Sequence, residues 1–357
     1  MKVLVLGATG NIGQQVISLI KKLNYQLVGI SYYANDKLAQ KIEAKYVYSP
    51  INKVQSNVKS YNQLIKLSNP DIVVNAIVGF VGLKATLATI RNKKTLCLAN
   101  KESLVVAGQF VMKLAKQKQV NIFPIDSEHT AIYQIISQKG KSFKKLYITA
   151  SGGPFYNLSK NELTHISLKQ AINHPTWKMG TKISIDSATL INKCFEMVEA
   201  FWYFKTKNIE PLYHPQSLVH AVVEYQNAKW MFVSKPDMQI SIRLALQGFK
   251  AKIKYVVPLN NNYLMKPIDA KRWLPIKWAY QILNNPYSSL PIIINAANEV
   301  SIQLFVKELI GFDEITKMIQ LAINKFPIKK ITSIKQIFAL DKMVRVWIQQ
   351  TYLNSTK

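Results

Sequence analysis

Hydrophobic and polar positions along the first third of the chain follow a strand–turn–helix rhythm. The stretch KVLVLGATGNIGQQVISLIKKL opens on an unbroken apolar run, the pattern of a strand buried on both faces. A turn punctuated by Gly7, Gly10 and Gly13 follows, and then apolar residues recur at helical spacing. QLVGIS reads as a second strand, DIVVNAIVG as another, and TLCLA and VNIFPI as later ones, with helical GLKATLATIRN and ESLVVAGQFVMKLAKQ between them. Strands alternating with helices predict a parallel, doubly wound sheet that binds ligands beyond the carboxyl ends of its strands. Further on, SIDSATLINKCFEMVEA reads as a helix opening with Asp186 and Ser187 as N-cap residues. At 100° per residue its Thr189, Asn192, Lys193 and Glu196 share one arc of about 100°. Taken alone, a solvated face with an i,i+3 Lys–Glu pair is the simpler account of that arc. AKIKYVVPLNNNYLMKPIDAKRW reads as a linker, and from about Leu274 the pattern is helical, in PIIINAANEVSIQLFVKELI and FDEITKMIQLAINKF.

Composition narrows the classes. With 357 residues the chain can build two or three domains, and 48% hydrophobic residues is ordinary for a globular protein. No apolar run reaches a membrane-spanning length. The N-terminus has neither signal-peptide nor transit-peptide character, so a cytoplasmic protein is expected. Two cysteines, Cys97 and Cys194, argue against a disulfide framework or a zinc cluster and suit a reducing compartment. The net charge of +28 invites a nucleic-acid reading. The lysines are scattered, however, and no nucleic-acid motif accompanies them, so a compositional origin is preferred, with attraction of anionic small molecules as a secondary benefit.

Candidate chemistry concentrates in four places. The glycine turn opens a helix, where a tight backbone and free N–H groups suit a pyrophosphate. The second strand ends in ISYYANDKL, without an early acid for the 2′-hydroxyl of NAD. That points toward NADP, with Lys37 as a candidate phosphate partner. Asp126 and Glu128, two apart at the end of an apolar strand, could face one Mg²⁺ or Mn²⁺ if the segment is extended. The competing account makes Asp126 or Ser127 the cap of the next helix, with Glu128 in its first turn and His129 in support. SGGPF at 151–155 is a plausible anion cradle, and NHPTWKMGTK at 173–182 has the composition of a mobile lid in which Trp177 is as readily lid as core.

Together GATGNIG, LANKESLV, PIDSEH, SGGPF, HPTWKMGTKISIDSATLINKCFE, HPQSLVH, PDMQ and NAANEV resemble, in order and over nearly the whole chain, the 1-deoxy-D-xylulose 5-phosphate reductoisomerase family of the methylerythritol phosphate route to isoprenoids. The resemblance implies an α/β protein with an N-terminal Rossmann-like parallel sheet domain (1–126), a central α+β catalytic domain (127–249) with a lid at 173–182, a linker (250–273) and a C-terminal helical domain (274–357). It implies Asp126, Glu128 and Glu196 as ligands of a divalent metal (Mg²⁺, Mn²⁺ or Co²⁺) and Lys101 against the reacting end of the substrate. Ser127, Glu128, Ser151, His174, Trp177, Ser187, Asn192, Lys193 and Glu196 join Lys101 as substrate-binding residues. Gly7, Thr9, Gly10, Asn11, Ile12, Asn35, Asn100, Glu102 and Gly180 fall to NADPH. A homodimer is expected, with no nucleic-acid or membrane partner. Three positions depart from the family pattern: Asn11 replaces a serine, YYAN at 32–35 replaces AGKN, and Gln239 replaces the arginine of PDMR. Other Rossmann dehydrogenases, a basic nucleic-acid-binding protein and an inactive relative are the alternatives.

Overall fold

Alternation within the first strand, β1 (Lys2–Leu6), organises the N-terminal unit. Val3 and Val5 point to one face and Leu4 and Leu6 to the other, as a period of two requires. The computed structural model describes residues 1–52, 56–159, 162–250, 254–260 and 262–355. It divides into two packed units: Met1–Ser103, Gln109–Gly140 and Asp237–Val256 form the first, and Leu104–Gly108, Lys141–Pro236 and Val257–Lys357 the second.

In the first unit β1 is followed by α1 (Asn11–Lys22), β2 (Gln26–Ser31), α2 (Asp36–Ala39), β3 (Tyr46–Tyr48), α3 (Tyr61–Ser68) and β4 (Ile72–Asn75). Then come α4 (Gly82–Arg91), β5 (Thr95–Leu98), α5 (Glu102–Lys118), β6 (Ile122–Pro124) and α6 (Ser127–Lys139). The strands form one parallel sheet in the order β3-β2-β1-β4-β5-β6. The order reverses beside β1, the switch point at which doubly wound sheets open a ligand crevice. Val3, Val5, Val16, Leu19 and Ile20 fill one face, joined by Ile242, Leu244 and Phe249 from a later segment. Leu4, Leu6, Leu64, Ile65, Ala85 and Ala88 fill the other. β3 was not legible in the sequence: its three residues, YVY, are all half-buried at the sheet edge and carry no clean alternation.

The second unit is built on a mixed sheet. β7 (Lys145–Ala150) leads through α7 (Leu168–Ile172), α8 (Thr181–Ala188) and α9 (Ile191–Phe204) to β8 (Ile209–Tyr213), β9 (Val219–Glu224) and β10 (Lys229–Val233). The chain then gives α10 (Met238–Leu246) to the first unit and continues with β11 (Val256–Pro258) and β12 (Lys266–Pro267). The sheet order is β11-β10-β9-β7-β8-β12, with β7 and β8 parallel. Part of the stretch read as linker therefore supplies the two edge strands, while its residues 251–253 and 261 lie outside the described residues. Helices α11 (Leu274–Asn284), α12 (Leu290–Val306), α13 (Phe312–Lys325) and α14 (Ile334–Ser355) complete the unit, as the helical pattern predicted. Arg345 on α14 reaches Glu299 of α12 at 2.7 Å and Asp341 at 2.7 Å. No helix among the described residues is long and apolar enough to cross a membrane.

The helix read across SIDSATLINKCFEMVEA is in fact two. Leu190 adopts φ 62°, in the left-handed region, and breaks the run between α8 and α9. Asp186 and Ser187 consequently do not cap a helix start; they lie in the last turns of α8, which begins after Gly180. Thr189 leaves the polar arc, donating its hydroxyl back to the Ile185 carbonyl at the end of α8.

Candidate active site

In the first unit, the glycine turn joins β1 to α1. Gly7 sits at φ +84° with Ala76 O only 2.7 Å from where a Cβ would stand. A Cβ on Gly13 would lie 2.2 Å from Gly7 O, so α1 seats directly on the turn. Gly10 takes the N-cap position and no side chain caps α1, which leaves its N–H groups and positive dipole end for an anion. Thr9 and Ile12 are half-buried beside this end, and Asn11 is exposed with Oδ1 accepting from Gln15. At the carboxyl end of β2, Ser31 is committed to the turn, receiving Gly7 N through both its carbonyl (3.0 Å) and its hydroxyl (3.2 Å). Asn35 caps α2 through Leu38 N, and Lys37 is exposed next to it.

A buried polar network lies at the ends of β4 and β5, and sequence reading did not anticipate it. Asn75 donates to Gly82 O (3.0 Å) and Thr86 Oγ1 (2.9 Å), and Thr86 meets Ser103. Asn100 donates to the carbonyls of Ile77 and Gly79 and to Glu102 Oε2 at 2.9 Å. These bonds fix the loop 76–82 and the backbone of ANKES, so that Lys101, 6% exposed, is rigidly presented. Its Nζ pairs with Asp126 Oδ2 at 2.7 Å, and His129 Nδ1, fully buried, stands 3.7 Å from the same oxygen.

Of the two geometries weighed for Asp126 and Glu128, the helix start forms and the extended segment does not. β6 stops at Pro124 and α6 starts at Ser127, so Asp126 occupies the N-cap position and Glu128 the first turn. The Asp126 side chain makes no capping bond. Its carboxylate is turned to Lys101, while Glu128 Oε2 accepts the Ser127 hydroxyl at 2.6 Å. Carboxylate oxygens are hard donors of the kind that suit a hard cation.

In the second unit, SGGPF packs against the α8–α9 corner. Gly152 (φ +87°) and Gly153 (φ +61°) take conformations that disfavour a side chain, and a Cβ on Gly153 would lie 3.1 Å from Ala188 Cα and 3.3 Å from Ser187 O. The Ser151 loop thus packs onto the turn bearing Ser187. α9 starts beside it at Leu190 with no side-chain cap, a second helix end suited to an anion. The arc on α9 is not a solvated face: Lys193 is 3% and Glu196 1% exposed. Lys193 Nζ bonds Glu196 and the Thr149 carbonyl, and Asn192 donates to Glu196 Oε1. A charged pair so deeply buried is held only where its hydrogen bonds are well made.

The segment 173–182, read as a lid, is hydrogen-bonded at its start. His174 Nδ1 accepts from Thr176 N (3.2 Å) and Trp177 N (3.0 Å), so the ring proton is on Nε2, which donates to Ser151 Oγ at 2.9 Å. Ser151 Oγ also accepts from Gly153 N at 3.2 Å, which leaves its own proton to offer an anion. Trp177 stands edge-on to His220, ring centroids 6.0 Å apart, and Thr176 Oγ1 lies 3.4 Å from Ser217 Oγ. Gly180 is exposed at the start of α8 with open space around it.

Burial holds the His174 pKa down at about 4, against an ordinary 6.5. The folded loop therefore binds fewer protons than an opened loop between those values, and its stability is complete above about 6.5 and lost as the pH falls toward about 4. The expected result is a substrate KM that rises as the pH falls from about 6.5 toward about 4 in the wild type relative to His174→Gln, measured side by side; a constant ratio would contradict the lowered His174 pKa.

Sheet order, glycine turn and buried polar site define a Rossmann-type, dinucleotide-binding α/β enzyme. Sequence comparison then specifies the family. Residues 33–108 match the profile of 1-deoxy-D-xylulose 5-phosphate reductoisomerase, and residues 122–204 and 233–347 match two profiles of its C-terminal domains. The reductoisomerase of Malacoplasma penetrans is 42% identical, covering 97% of this chain and 94% of that protein; that of Mycoplasmoides gallisepticum is 40% identical, covering 99% of each. A crystal structure of the reductoisomerase with NADPH, fosmidomycin and magnesium superposes with a TM-score of 0.89 at 31% identity, covering 100% of this chain and 99% of that one. The Zymomonas mobilis enzyme with NADPH gives 0.84 at 32% identity, covering 99% of each chain. The chain belongs to the 1-deoxy-D-xylulose 5-phosphate reductoisomerase family.

Proposed function

We propose that this protein isomerises 1-deoxy-D-xylulose 5-phosphate and reduces the product to 2-C-methyl-D-erythritol 4-phosphate, using NADPH and a divalent cation. The observation that carries the reading is the cradle of Ser151, Ser187 and the uncapped start of α9, in a chain matched over its full length by reductoisomerases. Crystal structures of relatives are described with NADPH and with magnesium, which supports both cofactors. Neither a plain Rossmann dehydrogenase nor a nucleic-acid-binding protein accounts for this cradle.

In this reading the substrate phosphate is bound by Ser151, Ser187, Asn192 and Lys193, with His174 fixing the Ser151 hydroxyl. That remote binding energy positions the reacting carbons. Asp126, Glu128 and Glu196 hold the cation, and their hard oxygen donors suit Mg²⁺, Mn²⁺ or Co²⁺. When bound, the cation supplies Lewis-acid stabilisation of charge on the substrate oxygens, and NADPH supplies the hydride. Lys101 lies against the reacting end, Ser127 contacts the substrate beside it, and Trp177 closes over it to exclude water. Gly7, Thr9, Gly10, Asn11 and Ile12 take the pyrophosphate, Asn35 the adenosine end, and Asn100, Glu102 and Gly180 the remaining cofactor contacts. The functional division is 1–126 for NADPH, 127–249 for catalysis, 250–273 as connection and 274–357 as helical support. A cytoplasmic homodimer fits the family resemblance, and both cysteines are free and buried, as a reducing compartment favours.

A coupled assay tests the reading: 1-deoxy-D-xylulose 5-phosphate with NADPH or NADH, with and without chelator. Turnover should require the cation, and NADPH should exceed NADH in kcat/KM by about tenfold or more, the worth of one charge-assisted hydrogen bond. Chelator-resistant turnover, or equal efficiency with NADH, would contradict the corresponding cofactor assignment.

A further inference from the structure

A buried hydrogen bond ties the helix bearing Ser187 to the C-terminal helices. Asp186, one residue before Ser187, is 2% exposed on α8. Its Oδ2 pairs with Lys182 Nζ at 2.7 Å, one turn earlier on the same helix, and its Oδ1 accepts from Asn298 Nδ2 at 2.7 Å. Asn298 is fully buried on α12, and Lys182 Nζ also lies 5.8 Å from the centre of the Phe195 ring on α9.

An amide at this position is costly unless its bond matters, because a buried polar side chain carries a desolvation penalty that an alanine or leucine avoids. The bond has something to hold. α8 is eight residues long, starts at Gly180 without a side-chain cap and ends in the left-handed turn at Leu190. So short a helix takes its orientation from tertiary ties rather than from its own propensity. Rotation by about 15° around its axis would carry a side-chain oxygen near Ser187 by about 1 Å, enough to spoil hydrogen bonds to a phosphate.

We propose that Asn298 is a positioning residue for the phosphate end of the substrate: through Asp186 it fixes the rotation of α8 and thereby the placement of Ser187. This rests on the reading of Ser187 as a phosphate ligand. The bond joins α8 to α12 in the half of α8 away from Gly180, while the other oxygen of Asp186 is tied to Lys182 at the end of the 173–182 segment.

The test uses full-length enzyme, with inorganic phosphate as a competitive probe of the cradle. Asn298→Ala should raise both the inhibition constant for phosphate and the KM for substrate about tenfold, leaving the KM for NADPH within about twofold of wild type. Asn298→Asp keeps the shape but sets a carboxylate against Asp186, and should be at least as damaging. In an Asp186→Ala background, Asn298→Ala should add nothing, because residues acting through one bond are not additive. Asn298→Ser serves the same comparison if the alanine variant does not fold. A variant that lowers the Tm but leaves phosphate inhibition unchanged, or an effect that persists in the Asp186→Ala background, overturns the proposal. Ser187→Ala separates the two levels: if it leaves phosphate inhibition unchanged the phosphate reading itself fails, and if it weakens inhibition while Asn298→Ala does not, only the positioning role fails.

Discussion

Glu196→Gln should lower kcat by about a thousandfold or more while leaving the dissociation constant for NADPH within about twofold of wild type. The substitution keeps the volume of the side chain and an oxygen that can still accept from Asn192. What it removes is charge. A carboxylate is a far better partner for a dication than an amide oxygen, and Lewis-acid stabilisation worth several kcal/mol depends on the cation being held in place. The second loss is local: Lys193, 3% exposed, keeps the Thr149 carbonyl but loses the Glu196 carboxylate paired with it. The two losses separate experimentally. If the metal ligand dominates, Glu196→Asp should recover part of the activity at raised Mn²⁺, and the unfolding midpoints of both variants should stay close. NADPH binding, followed by fluorescence titration, should be spared because the glycine turn belongs to the other packed unit. Activity within tenfold of wild type would remove Glu196 from the metal site.

Much of this was legible in the sequence, for physical reasons that differ by element. β1 and the turn after it could be read because an apolar run buried on both faces and three glycines leave few alternatives, and the C-terminal helices because their apolar spacing is regular. The break at Leu190 was not legible. Leucine seldom takes a left-handed conformation, and nothing in SATLINK marks it; the strain is held by packing, with Leu190 2% exposed against Ala150, Trp273 and Ile276. Asp126 and Glu128 were found as a pair for a reason the structure replaces. The i,i+2 rule applied to a strand, but Pro124 ends β6 and the pair occupies the start of α6. The strand reading of the pair failed on backbone geometry, and the helix-start reading weighed beside it is the one that forms. Asn298 stood in a quoted motif, NAANEV, without a role, because its meaning depends on Asp186, 112 residues away in sequence. Its signal was an amide within a largely apolar helix that also carries Asn295, Glu299 and Ser301, which points to a partner without naming it.

The glycine turn yields the other large effect. Gly13→Ala should weaken NADPH binding by about ten- to a hundredfold and destabilise the protein by about 2 kcal/mol. On helix propensity alone the change is favourable, by about 1 kcal/mol. Packing decides the sign. The added Cβ would stand 2.2 Å from Gly7 O and 2.8 Å from Ala8 Cα, both main-chain atoms that no rotamer change can move. Relief requires α1 to lift from the turn by the better part of an ångström, and overpacking of this kind costs about 1–3 kcal/mol. The same displacement carries the uncapped N–H groups of α1 away from the pyrophosphate, where an error of about 1 Å costs up to about a hundredfold. Gly10→Ala provides the contrast. Its Cβ meets only Gly7 O, at 3.4 Å, so the fold should tolerate it. The methyl group instead occupies the space through which the backbone approaches the cofactor, and the KM for NADPH should rise with little change in Tm. Thermal unfolding and NADPH titration of the two variants separate a glycine needed to pack the helix from one needed to admit the ligand; a Gly13→Ala protein with wild-type Tm and NADPH affinity would mean that α1 does not rest on the turn as described.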